Sequence, residues 1–363
     1  MKKNIQNFYK RIIYFIFKIF HGKIKGVVSL DKNDIKEINF ENKHKYLLYF
    51  CKNSRIYTDT IHNTAVIKDN YIVNGPSLQF IDNIIVTCEK NSVMQKGTPR
   101  FKKNLNGKVF SLLTGGGGNS NYFHWLFDVL PRIIILRKKI NLEDVDYFLF
   151  PDTKLKFQKE SLDLLEIPEK KRISSKNFRH IYADEIISTD HPCVILNDPL
   201  KDNENIPIWI IEFYKNEIKS KIKINKSPKK IYIDRGDSKS NIKNLRTITN
   251  EMEVKKYLSS KGFEIIKLSD LSFSNQIDLF HNANTVVGLH GAGLSNILFC
   301  QPKTKIIELK PSHVGPMYQK LGEKLNLNYL NFTSDSQNIK LNRPNQLGDI
   351  NVDLTELEKK LIN

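Results

Sequence analysis

The stretch TVVGLHGAGLSNILF, Thr285 to Phe299, decides the fold. A run of β-forming character, Thr285–Leu289, passes through His290 into glycines, and a helix-like apolar run follows from Gly293 to Cys300. Gly291 and Gly293 either clear space for the backbone to approach a ligand or simply permit a tight strand-to-helix turn; the stretch alone leaves both open. The first turn of such a helix offers unpaired N–H groups and the positive end of its dipole, which suit a phosphate. GLHGAG does not have the spacing of G-x-G-x-x-G, which argues against a nicotinamide dehydrogenase.

Working outward, strand and helix alternate with short connections. Strands are expected at Ile231–Asp234, Phe263–Leu268, Thr285–Leu289 and Lys305–Leu309, and helices at Glu251–Ser260 and Ser274–His281. This is the pattern of an α/β parallel sheet with crossover helices, whose ligands sit beyond the carboxyl ends of the strands. The residues just past those ends should converge. Arg235 follows one strand, and Arg246 lies shortly before Asn250 and Glu251, which open the next helix. Such arginines can clamp a diphosphate or pair with Asp237 and Glu251 at the surface. Glu308 can accept both hydroxyls of a ribose or pair with Lys310. Together these groups describe a nucleotide site.

A second stretch, GGGGNSNYFHWLFDVLPR, Gly115 to Arg132, sets four glycines before a helix crowded with aromatics. Asn119, Ser120 or Asn121 can cap it. Asn121, His124, Asp128 and Arg132 form one polar stripe on a helix otherwise apolar, hence buried. Pro131 should kink it. His124 and Asp128, four apart, can touch, which leaves one ring nitrogen free to take a proton near neutral pH. Alternatively Asp128 bridges to Arg132 and His124 bonds to backbone. The glycine run favours a ligand-facing loop, with Gly117 and Gly118 in it. The pair Asp144 and Asp146 precedes the expected strand Tyr147–Phe150, which suits a turn or cap better than a metal site.

Upstream, residues 45 to 110 read as short β-type runs; later, His180–Ala183 and Glu185–Ser188 read as strands and Ile208–Lys223 as a helix before a linker, NKSPKK. The domains expected are a basic amphipathic lead, 1–30, an N-terminal domain, 31–225, a C-terminal nucleotide-binding domain, 226–335, and a tail, 336–363, packing back on the N-terminal domain. The 363 residues carry a formal charge of +18, which fits an anionic partner or a compositional bias towards Lys. No acid precedes Asp31, and the apolar run Ile12–Phe17 falls far short of the ~20 residues of a spanning helix. Ile5, Phe8, Ile12, Phe15 or Ile16, and Ile19 share a face, so residues 2–25 suit an anionic membrane surface, or packing on the protein itself. The four cysteines form no C-x-x-C pair, which fits a reducing compartment. A nucleic-acid binder would need a basic stripe interleaved with aromatics; the strongest basic concentration, residues 2–25, looks instead like a membrane helix, so no nucleic-acid partner is expected.

These motifs, with DRGDSKSNIKNLRTITNEMEV between them and IIEL at the end, resemble glycosyltransferase family 61 over Gly115 to Leu309, in order and spacing. The resemblance implies a GT-B architecture, two Rossmann-like domains facing a central cleft, and inverting transfer from a UDP-sugar; with arginines and a helix end to carry the phosphate charge, no cofactor or metal is expected. It implies donor-side roles for Arg235, Arg246, Asn250, Glu251, His290, Gly291, Ala292, Gly293, Leu294, Ser295, Asn296 and Glu308. On the acceptor side it implies Gly117, Gly118 and Asn121, with His124 and Asp128 catalytic. One departure is Gly236–Asp237 after Arg235, in place of further basic residues. The bacterial form, acting in the cytoplasm or on the inner membrane face in capsule, exopolysaccharide or lipopolysaccharide assembly, fits better than the secretory form. The competing classes are a non-catalytic nucleotide- or glycan-binding relative and a basic nucleic-acid or membrane-binding module.

Overall fold

The structure, a computed structural model, describes residues 2–40, 44–58, 63–81, 84–116, 120–196, 198–236, 246–335 and 348–362. The chain divides into two compact units, Met1–Asn203 and Glu204–Asn363. The division falls earlier than the expected 225/226 boundary. The helical segment from Ile208 belongs to the second unit, where the Tyr214 ring packs edge-on against Phe299, 5.9 Å between centroids.

The second unit is built on five strands, all parallel, in the spatial order Glu264–Lys267, Lys230–Asp234, Thr285–Leu289, Lys305–Pro311, Asn328–Ser334. Apolar runs such as TVVGL and KIIEL are buried almost throughout, as strands covered on both faces must be. From Lys230–Asp234 the chain moves to one side, through the helix Glu251–Ser260. It then returns to Thr285–Leu289 on the other side and continues outward. The crevice between those two strands is therefore the switch point where α/β sheets bind ligands. Beyond Leu309 the helix Met317–Lys324 and the strand Asn328–Ser334 extend the alternation. The described tail corrects the expectation that it packs on the N-terminal domain. Ile350 bridges to Ile248, and Leu357 is fully buried with Tyr232, Leu258 and Phe332 in the second unit's own core.

The first unit has a nine-stranded mixed sheet. Lys45–Thr58 pairs antiparallel with His180–Thr189, which runs parallel to Lys103–Ser111; Tyr147–Phe150 and Arg172–Ser174 complete a parallel edge. This departs from a plain Rossmann-like half, because the strand–helix–strand grammar is concentrated in residues 103–174. The two strands expected at 180–188 are one, with a register shift between Ala183 and Glu185; the Asp184 carboxylate turns outward to accept the Gly107 amide at 2.6 Å. The helical segment Tyr122–Arg137 is the crossover between the parallel strands Lys103–Ser111 and Tyr147–Phe150.

Candidate active site

In the first unit the site grows from that crossover. Asn121 is its cap, with Oδ1 accepting the amides of Phe123 and His124 at 3.0 and 3.4 Å. Trp125, Leu126, Phe127, Val129 and Leu130 are fully buried, and the indole N–H of Trp125 donates to Ser161 Oγ at 2.9 Å. Pro131 has no N–H, and the helix answers with a π-turn over Trp125–Val129 rather than a simple kink, Leu130 N–H reaching Trp125 O at 3.1 Å. The Phe127 carbonyl accepts from Cys193 Sγ at 3.3 Å, and the Asp128 carbonyl from Arg132 Nε at 3.0 Å. Arg132 thus holds the backbone of Asp128, not its carboxylate, and its Nη1 donates to Thr189 O at 3.1 Å.

His124 Nδ1 lies 2.5 Å from Asp128 Oδ2, with the His124 side chain 29% exposed and that of Asp128 4%. His124 Nε2 makes no hydrogen bond among the described residues. Burial alone would raise the Asp128 carboxyl, but His191, His124 and Arg132 outweigh it and hold it below the usual range. Sequence reasoning missed His191. Its Nε2 stands 3.6 Å from Asp128 Oδ1, an oxygen with no hydrogen-bond partner among the described residues. Burial pushes the His191 ring down to about 4, against the attraction of Asp128. The Cys193 amide donates to His191 Nδ1 at 3.4 Å, so the neutral ring carries its proton on Nε2, towards Asp128. A cavity of about 160 Å³, bordered by Thr114, Arg132, Asp190 and His191, adjoins this buried side. The one local hint is weak: His191 lies two residues past a strand that ends at Thr189, whereas Arg235 and His290 directly follow theirs.

The glycine run has a packing reason at its start. A Cβ on Gly115 would meet Leu78 O at 2.7 Å and one on Gly116 would meet Phe80 O at 2.9 Å. Gly117 and Gly118 lie outside the described residues. Asp146 Oδ2 accepts the Lys108 amide at 2.7 Å, a backbone-fixing role for that part of the D-x-D.

In the second unit Arg235, just past Lys230–Asp234, donates from Nη1 to His290 O at 2.6 Å, across the switch point. Gly291 permits this: a Cβ there would lie 2.7 Å from Arg235 Nη1. His290 Nδ1 is 2.5 Å from Glu308 Oε1, and Lys310 Nζ is 3.2 Å from Glu308 Oε2. Glu308 is fully buried and pairs with Lys310, one of the two partners open to it in the sequence, and with His290. Burial would raise Glu308, but His290 and Lys310 hold it low; burial pushes His290 down despite Glu308. His290 is therefore neutral, donating from Nδ1 and presenting Nε2 as an acceptor.

Arg246 is 8% exposed, and its Nε and Nη1 are buried without an acceptor among the described residues. Burial and the nearby Arg235 lower it to about 10, which leaves it charged at neutral pH. A buried guanidinium without a bonded carboxylate is costly and calls for an anion. The segment Ala292–Phe299 is a 3₁₀ helix, and the first-turn amides of Ala292 and Gly293 have no intrahelical acceptor, while Leu294 N–H bonds Gly291 O at 2.9 Å. Residues 291–293 are half-exposed; Leu294, Ser295 and Asn296 are buried, Asn296 Nδ2 donating to Gln276 Oε1 at 3.0 Å. Two further expected donor-side residues are occupied elsewhere. Asn250 makes paired hydrogen bonds with the Val352 backbone, at 2.9 and 3.0 Å, tying down the tail. Glu251 meets Lys255 at 3.2 Å and the Tyr232 hydroxyl at 3.3 Å.

The family model described as Glycosyltransferase 61 matches residues 122–307, just over half of the chain, spanning both histidine–carboxylate helices and strands except the final residue, Glu308. No curated protein matches it.

Proposed function

The chain belongs to glycosyltransferase family 61 and is a glycosyltransferase of class EC 2.4, and from that premise we propose how it works. It moves a sugar, with inversion, from a UDP-sugar to a hydroxyl of a growing cell-surface glycan of the capsule, exopolysaccharide or lipopolysaccharide kind, at the cytoplasmic face of the membrane. The two units act as the halves of a GT-B enzyme, the second taking the donor and the first the acceptor. Arg235, Arg246 and the amides of Ala292 and Gly293 take the diphosphate, and His290 Nε2 accepts a hydrogen bond from a donor hydroxyl. His124 Nε2 takes the proton of the acceptor hydroxyl as its oxygen attacks the anomeric carbon. The bond from that carbon to the phosphate oxygen breaks, and the leaving diphosphate keeps the electron pair. Asp128 stabilises the imidazolium that forms, as a buried carboxylate does for a general base. The two arginines and the helix end carry the growing phosphate charge, so this reading requires no metal.

The observation that carries the reading is the buried Arg246, whose Nε and Nη1 have no acceptor among the described residues, near Arg235 at the switch point. A thermal-shift titration tests it. UDP should raise the unfolding midpoint of the wild type and not that of Arg246→Met, while NAD has no effect on either. Equal shifts in both proteins would refute the donor assignment.

A further inference from the structure

The helix Lys2–His21 is attached to the first unit by one side and turns its apolar side to water. Tyr14, Phe17, Lys18 and His21, spaced as one helical face, are the half-buried positions. His21 Nε2 is 3.0 Å from Arg100 O, the His21 carbonyl accepts from Arg55 Nη2 at 3.1 Å, and Phe17 packs edge-on against Phe101, 5.2 Å between centroids. A Cβ on Gly97 would lie 3.3 Å from the Lys18 stem, so the seated side is this mixed one, not the aliphatic face. On the far side, Phe8, Ile12, Phe15, Ile16, Ile19 and Phe20 are all exposed, Phe15, Ile19 and Phe20 by 65, 69 and 70%. An amphipathic helix that served the core would be turned the other way round. A continuous apolar face of this extent marks a docking surface.

We infer that this face docks the enzyme on an anionic phospholipid bilayer, lying in the interface plane. Charge selects the occupant. Lys10 and Arg11 are exposed, Lys23 and Lys25 follow, and no acid precedes Asp31. Anionic headgroups neutralise that array, whereas a second copy would bring like charges together. No helix among the described residues is long and apolar enough to cross a membrane, so the contact is peripheral. The inference rests on the proposed function only for its purpose, bringing the site to a membrane-linked acceptor; the docking itself is measured without donor or acceptor.

The experiment is flotation of the full chain with vesicles of phosphatidylcholine alone, or with roughly a third phosphatidylglycerol. Wild type should float with the anionic vesicles only, and the double substitution Ile12→Glu, Ile16→Glu should cut the bound fraction about tenfold or more, at an unchanged unfolding midpoint. Lys10→Glu with Arg11→Glu should weaken binding and reduce its salt dependence. Wild type remaining with the unbound protein, or floating equally with neutral vesicles, would overturn the assignment. So would a dimer in light scattering that Ile12→Glu, Ile16→Glu dissociates while vesicles are ignored. UDP binding retained in all these variants separates failure of the docking inference from failure of the donor reading.

Discussion

Each unit holds an imidazole joined through Nδ1 to a carboxylate at 2.5 Å, and the two pairs are set for different work. His124 lies in the first turn of the helix that follows Lys103–Ser111; His290 directly follows Thr285–Leu289. Their surroundings differ. The side chain of His124 is 29% exposed and that of His290 11%. The second oxygen of Asp128 faces a neutral ring, His191, whereas that of Glu308 faces the Lys310 ammonium at 3.2 Å. A carboxylate already neutralised by lysine has little left with which to stabilise an imidazolium, so His290 suits binding. Asp128, with no cationic Lys or Arg bonded to its carboxylate among the described residues, can answer a proton arriving on His124. Identical bond lengths therefore do not imply identical roles.

The comparison can be broken at several points. The largest effect should come from His124→Ala, which lowers turnover by about 10²-fold or more while UDP affinity stays at the wild-type value. His290→Ala should do the reverse in part, weakening the donor by about tenfold with a smaller change in turnover at saturation; steady-state kinetics with varied donor separates the two. In denaturant unfolding, Glu308→Ala should cost about 3–5 kcal/mol, because it leaves Lys310 buried without its counter-charge. Arg246→Met should leave the ligand-free protein as stable as wild type or more so, since it removes a buried charge with no bonded carboxylate among the described residues, while abolishing stabilisation by UDP.

The smallest effect concerns pH. The folded state holds His191 neutral down to about 4 against an ordinary 6.5, so as pH falls below 6.5 the unfolded chain takes up the proton first. The stability from this neutral ring is full above 6.5 and drains away between 6.5 and 4. His290, also lowered by burial, adds to the loss. The unfolding midpoint should therefore fall between pH 7 and pH 5, and His191→Phe should flatten that fall; an unchanged slope would remove His191 from the account.

Much of the second unit was legible because its information is local. Glu251–Ser260 and Thr285–Leu289 fall where periodicity and flanking glycines put them, since a buried parallel strand writes itself as a continuous apolar run. His124 and Asp128 were legible because their partnership is written into four-residue spacing. His191 was not, since its partner lies 63 positions away in sequence and meets it only through the sheet. Asn250 illustrates the same limit: the resemblance implied a donor-side role for it, while its bonds to the Val352 backbone, 102 positions away, are not written in the local sequence. The π-turn at Trp125–Val129 was half legible, Pro131 announcing a disturbance but not its form. The N-terminal helix shows two faces in sequence, and only the body it rests on determines which one meets water.

The central claim is a division of labour, with the diphosphate held by the second unit and the proton moved by the first. Calorimetric titration of UDP into His124→Ala and Arg246→Met tests it most directly. The account predicts wild-type affinity for His124→Ala and a loss of about tenfold or more for Arg246→Met. Weakened binding in His124→Ala with unimpaired binding in Arg246→Met would contradict it.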